Sequence, residues 1–106
     1  LDLSSCIDIP SETFDELAKL TSLKRLNLHR TQITENNFEK IARNLVSLDL
    51  WRAKSLTQNG ISSIYQNCPN LEEIDLGWCN NVATHSSLRL LVTHCQKMKK
   101  IFLTAL

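Results

Sequence analysis

One three-residue phrase returns five times along this chain: Leu1-Asp2-Leu3, Leu26-Asn27-Leu28, Leu48-Asp49-Leu50, Ile74-Asp75-Leu76 and Ile101-Phe102-Leu103. The steps between its first residues are 25, 22, 26 and 27 positions. A further apolar residue stands three places ahead in four copies, at Leu23, Leu45, Leu71 and Met98. Alternation with period two puts both apolar residues of the phrase on one face of a short strand and the residue between them on the other. Self-similarity at a period of about 20–50 residues means stacked units rather than one closed core.

The rest of each unit aligns as well. An apolar residue follows the phrase after six positions at Ile9, Leu56 and Val82, and after five at Ile33. A turn or capping residue comes next: Pro10-Ser11, Thr34, Thr57 and Thr84. Side-chain oxygens there can accept from the orphan N–H groups of a helix start. Pairs spaced i, i+3 then predict helices with one buried side: Phe14/Leu17, Phe38/Ile41, Ile61/Ile64 and Leu88/Leu91. Cys68 and Cys95 extend the last two stripes, and Pro69 helps to end its helix. The pattern is the L-x-x-L-x-L of a leucine-rich repeat. The expected fold is α/β: a horseshoe segment with a parallel sheet of four to five strands and helices on the convex side. The whole chain, 1–106, reads as one such domain, with repeats at about 1–22, 23–44, 45–70, 71–97 and a partial 98–106.

Charge excludes little. Twelve Lys+Arg face eleven Asp+Glu, so the net charge is +1 with His neutral. No basic stripe interleaves with aromatics, which argues against nucleic acid, and no stretch approaches the ~20 apolar residues of a membrane span. Lys97, Lys99 and Lys100 read as a solvated face. The chain opens directly on a strand-like alternation without an initiator Met. It closes on a strand with no following helix. The expectation is a section of a longer chain with two open sheet edges and marginal stability in isolation.

The four cysteines contain no C-x-x-C. Cys6 and Cys79 close their strands three repeats apart, about 14 Å at ~4.8 Å per strand, beyond the reach of a disulfide. Cys68 and Cys95 belong to adjacent helices whose axes would lie about 8–10 Å apart. All four are expected as reduced, mostly buried thiols, which implies a reducing compartment. A metal site from Cys79, His85, His94 and Cys95 would match no usual zinc spacing. No phosphate-cradling glycine motif occurs, and no cofactor is expected.

The stretch from Leu48-Asp49-Leu50-Trp51-Arg52 through Leu56-Thr57-Gln58-Asn59-Gly60-Ile61 to Cys68-Pro69-Asn70-Leu71 and Leu76-Gly77-Trp78-Cys79 resembles the cysteine-containing type of leucine-rich repeat. It is similar to the repeat region of the F-box/LRR proteins. The phrases LDLWR, LEEIDLGWC and KKIFLTA are most similar to a mitochondria-associated branch of that family. The resemblance implies the substrate-recognition repeats of an SCF-type ubiquitin ligase, a non-catalytic subunit leading targets to proteasomal degradation. Adaptor and cullin would be reached only through an F-box, which is absent from these residues. Thr31 and Ala53 depart from the strand-closing Cys, and the second unit is short. The rival is a repeat scaffold or receptor unrelated to ubiquitin.

The concave face carries the expected site for a protein partner. Its residues are Arg25, Asn27, His29, Ser47, Asp49, Trp51, Glu73, Asp75, Gly77, Lys100 and Phe102, flanked in the same rows by Asp2, Ser4 and Thr104. Trp51 is the expected anchor, because tryptophan is enriched at binding hot spots, and Gly77 beside it would leave room for a partner. Trp78, at the strand exit, reads as structural. Asp49 and Asp75, about 5 Å apart in register, read as an acidic row favouring a basic partner rather than as an acid–base pair. His29, His85 and His94 have no nucleophile arrangement around them.

Overall fold

The computed structural model describes residues 11–20, 22–31, 43–53, 56–79 and 84–103. The expected strand at Leu1–Leu3, the pair Phe38/Ile41, and Cys6, Ile9, Ile33, Thr34, Val82 and Thr104 lie outside the described residues. Within them the order is α1 (Ser11–Asp15), a 3-10 turn (Glu16–Lys19), β1 (Arg25–Asn27), β2 (Ser47–Asp49), α2 (Gln58–Asn67), β3 (Glu73–Asp75), α3 (His85–His94) and β4 (Lys100–Phe102). The strands form one parallel sheet in the order β1-β2-β3-β4. The fold is that of a leucine-rich-repeat solenoid.

Each strand is three residues long, and the phrase residues stand in register: Leu26, Leu48, Ile74 and Ile101 are successive partners. The ladder continues past the strands. The N–H groups of Leu28, Leu50 and Leu76 donate to the carbonyls of Asp49, Asp75 and Phe102 at 2.8–2.9 Å. One row of the phrase is thereby stacked on the next, and Leu26, Leu28, Leu48, Leu50, Ile74 and Leu76 are all buried. The preceding Leu45 and Leu71 are buried with them.

Helices α2 and α3 close the core over that face. Ile61, Ile64 and Leu91 are buried and Leu88 partly so, as the i, i+3 spacing predicts. The caps are those expected. Thr57 Oγ1 accepts from Gly60 N at 3.4 Å and Thr84 Oγ1 from Ser87 N at 3.2 Å. Ser87 Oγ also donates to Gln58 Oε1 at 2.5 Å, joining the starts of the two helices. The first unit departs from the sequence reading. Its expected single helix is a five-residue α-turn that tightens into 3-10 form, a common way for a short helix to end.

Cys68, Cys79 and Cys95 are buried free thiols. Cys68 and Cys95 cap the C-termini of α2 and α3. Thr31, Ala53 and Cys79 occupy one repeated buried position behind the strand exits. Each donates its N–H to a phrase leucine three residues back, Leu28, Leu50 or Leu76. Cys79 Sγ adds a bond to Leu50 O at 3.1 Å, and Thr31 Oγ1 one to Leu28 O at 3.0 Å. A small side chain that satisfies itself is what this place accepts.

Two outcomes follow from this packing. Thr84→Ala is expected to lower the unfolding free energy by about 1 kcal/mol in urea titration. Burial raises the pKa of Cys68, Cys79 and Cys95 above the ordinary thiol value of 9.0. The folded state then favours the protonated thiol, so this contribution is whole below about pH 9 and is lost as pH rises beyond it. Urea midpoints are expected to fall between about pH 8 and about pH 10, with native thiols slow toward Ellman's reagent until the chain unfolds.

Candidate functional site

The register arranges the open face in rows. Arg25, Ser47, Glu73 and Lys100 form the first, and Asn27, Asp49, Asp75 and Phe102 the second. His29, Trp51 and Gly77 follow two residues on, where the chain leaves the sheet. The register thus places eight of the eleven residues expected on this face in two rows, with His29, Trp51 and Gly77 at the strand exits beside them. Asp2, Ser4 and Thr104 lie outside the described residues.

The middle row has a structural task that the sequence reading missed. Asn27 Oδ1 accepts from His29 N at 3.0 Å, Asp49 Oδ1 from Trp51 N at 3.1 Å, and Asp75 Oδ1 from Gly77 N at 2.8 Å. These are Asx turns. One residue further, Arg30, Arg52 and Trp78 adopt left-handed backbone with φ of 54°, 57° and 60°. The three units thus leave their strands by one shared turn.

His29 Nε2 lies 2.6 Å from Asp49 Oδ1. No hydrogen bond of good geometry reaches that buried nitrogen, so the contact is one of charge and counts only when the imidazole is protonated. Asp75 adds a carboxylate, and one donor atom from each of His29, Asp49 and Asp75 falls within 4.8 Å of the others. This half-buried trio is the one group with metal-ligand composition among the described residues. Cys79, His85, His94 and Cys95 are not gathered. The His94 ring instead lies 4.5 Å from that of Tyr65, and its Nδ1 is 2.9 Å from Leu90 O.

Trp51 does not stand free. Its ring centroid is 5.3 Å from that of His29, with the Arg30 and Arg52 guanidinium carbons at 5.8 and 4.8 Å. The room left by Gly77, expected to admit a partner, is filled by this indole. A Cβ at Gly77 would lie 2.5 Å from Trp51 Cδ1 and 3.1 Å from Asp75 Oδ1. Arg52 also lies 4.9 Å from the Trp78 ring, so it sits between two indoles. Trp78, read from sequence as structural, is 42% exposed. Arg30 and Arg52 were missed altogether. Their only signal is a recurring Arg two residues after the phrase leucine in two units.

Two lysine–glutamate pairs and one lysine–asparagine bond lie in and beside the first row. Lys99 meets Glu72 at 2.9 Å, holding the Glu72 carboxyl below its usual range, and Lys100 approaches Glu73 only to 3.9 Å. Lys97 donates to Asn70 Oδ1 at 2.9 Å. All three lysines are exposed, as expected of a solvated face. Between the rows Ser47, Leu48, Asp49, Glu73, Ile74, Asp75 and Phe102 line a shallow hollow. Phe102 is 47% exposed on one side of it.

The Trp51–Gly77 contact is testable. In a Trp78→Phe background, Gly77→Ala is expected to push the indole outward and red-shift its emission. Stability should fall by about 1–3 kcal/mol, as for overpacking elsewhere. An unchanged spectrum would contradict the packing described.

No protein-family model matches the chain. It is 32% identical over 137 residues to F-box/LRR-repeat protein 4 from Bos taurus, a match covering 99% of this chain and 22% of the relative. The chain thus spans about a fifth of that relative's length. Among solved structures it is similar to leiomodin-1 actin-binding site 2, with a TM-score of 0.74 at 17% identity, over 97% of this chain and 68% of that one. That likeness speaks for the fold alone. No helix among the described residues is long and apolar enough to cross a membrane. The chain is a leucine-rich-repeat segment by its own fold, similar over nearly all of its length to part of an F-box/LRR protein.

Proposed function

We propose that this chain is a target-binding section of an SCF-type ubiquitin ligase receptor, and that the open sheet face holds the protein to be ubiquitylated. The observation that carries the reading is the 32% identity to F-box/LRR-repeat protein 4 across 99% of the chain. The geometry supports it. Among the described residues, short parallel strands leave one face free of helices, and that face presents charged rows, an exposed phenyl ring and a stacked Trp–Arg cluster. Tryptophan and arginine are enriched where binding energy concentrates.

The section is non-catalytic in this reading. Adaptor and cullin are engaged by an F-box elsewhere in the parent protein, and ubiquitylated targets pass to the proteasome. The unbridged buried thiols support a reducing compartment, and the resemblance adds mitochondrial association.

The test uses the full-length parent carrying Trp51→Ala and Phe102→Ala. Ligase adaptor should still co-purify, while target ubiquitylation falls by about ten-fold or more, as for hot-spot truncation. Unchanged ubiquitylation would reject the concave-face assignment. A wild-type parent that captures no adaptor would reject the ligase reading in favour of a scaffold without ubiquitin chemistry.

A further inference from the structure

We propose that the hollow at the centre of the sheet face is a seat for one arginine side chain of the bound partner. This rests on the concave-face reading and gives it a chemistry. Charge complementarity beside an aromatic wall favours that occupant.

Asp49 and Asp75 are register partners on neighbouring strands, so their carboxylates stand about one strand spacing, ~4.8 Å, apart at the backbone. Each has one oxygen held by a backbone N–H, which fixes the carboxylate in place. No hydrogen bond or ion pair among the described residues reaches Oδ2 of either. Glu73 lines the same hollow, and its lysine contact is long, at 3.9 Å. No cation pairs with Asp75 among the described residues. With three carboxylates lining it and one lysine 3.9 Å from Glu73, the hollow carries net negative charge, partly buried and less screened than on an open surface.

Phe102 is the next register partner after Asp75 and is half exposed. A guanidinium fits this set better than an ammonium. It is planar, offers a fork of donors to two carboxylates, and stacks on an aromatic face. The chain already shows the preference, since Arg52 lies against both Trp51 and Trp78.

The test titrates N-acetyl-arginine amide into the 106-residue chain and follows amide signals by NMR. Its neutral isostere N-acetyl-citrulline amide and the lysine analogue serve as comparators. Saturable shifts are expected at Ser47, Glu73, Asp75 and Phe102, with citrulline about ten-fold weaker, equivalent to one lost charged contact. Asp75→Asn should weaken arginine binding about ten-fold without unfolding the turn, because Asn27 makes the same turn in its own unit. Phe102→Ala should weaken it about three-fold. Equal shifts from arginine and citrulline, tighter lysine binding, or an indifferent Asp75→Asn would each overturn the proposal. So would shifts given by zinc ion alone and not by the arginine compound. Arginine binding as expected, with target ubiquitylation unmoved by the face variants, would reject the functional reading and leave this seat standing. The converse result would reject the seat alone.

Discussion

At the end of each of three successive strands an Asn or Asp side chain folds back to accept the N–H two residues on. That bond sets the angle at which the chain leaves the sheet. The following Arg30, Arg52 or Trp78 is driven into left-handed backbone, and the next residue closes a turn onto the phrase leucine. Because the departure is the same each time, the units repeat in register and their leucines meet. A non-glycine residue costs about 1–2 kcal/mol in that conformation. The residues that bear the cost are large. Two of them, Arg52 and Trp78, stack on each other beside Trp51, and dispersion and cation–π attraction offset part of the strain.

Burial then does what three-residue strands cannot do alone. An isolated strand this short fixes its backbone for few bonds and hides one or two side chains. Stacking converts the same residues into a continuous apolar row, closed by α2 and α3 on its other side. The thiols belong to this economy of space. Cys68 and Cys95 end helices where the chain must turn back toward the next strand. Cys79 occupies the pocket that Thr31 and Ala53 fill in other units. Burial holds these sulfurs protonated, so the core treats them as small hydrophobes with a weak donor.

Much of this was legible because it is periodic. Period two assigned Leu26, Leu48 and Ile74 to the core and Asn27, Asp49 and Asp75 to the open face, and the structure agrees. The caps at Thr57 and Thr84 were legible because their chemistry is local. What periodicity cannot carry is rotamer and diagonal contact. An aspartate on an open row looks like a binding group until its partner at i+2 is known. The His29–Asp49 contact joins different rows of neighbouring strands, and no spacing within one unit marks it. Trp51 shares a row with Gly77, yet its indole lies across the glycine rather than pointing to solvent. A missing side chain in one strand is thus an invitation to its neighbour before it is one to a partner.

The repeats also supply their own control experiment. Asn27, Asp49 and Asp75 hold the same place and make the same backbone bond, at 3.0, 3.1 and 2.8 Å. An amide oxygen therefore suffices for the turn, and the negative charge at 49 and 75 is not required by it. Two like charges on adjacent strands repel each other, which is a cost to the fold. His29 relieves it at Asp49 only while protonated, and among the described residues no cation relieves it at Asp75. A fold that needs only the acceptor would do as well with asparagine throughout. The charge left over is a property of the face, available to whatever cation that face meets.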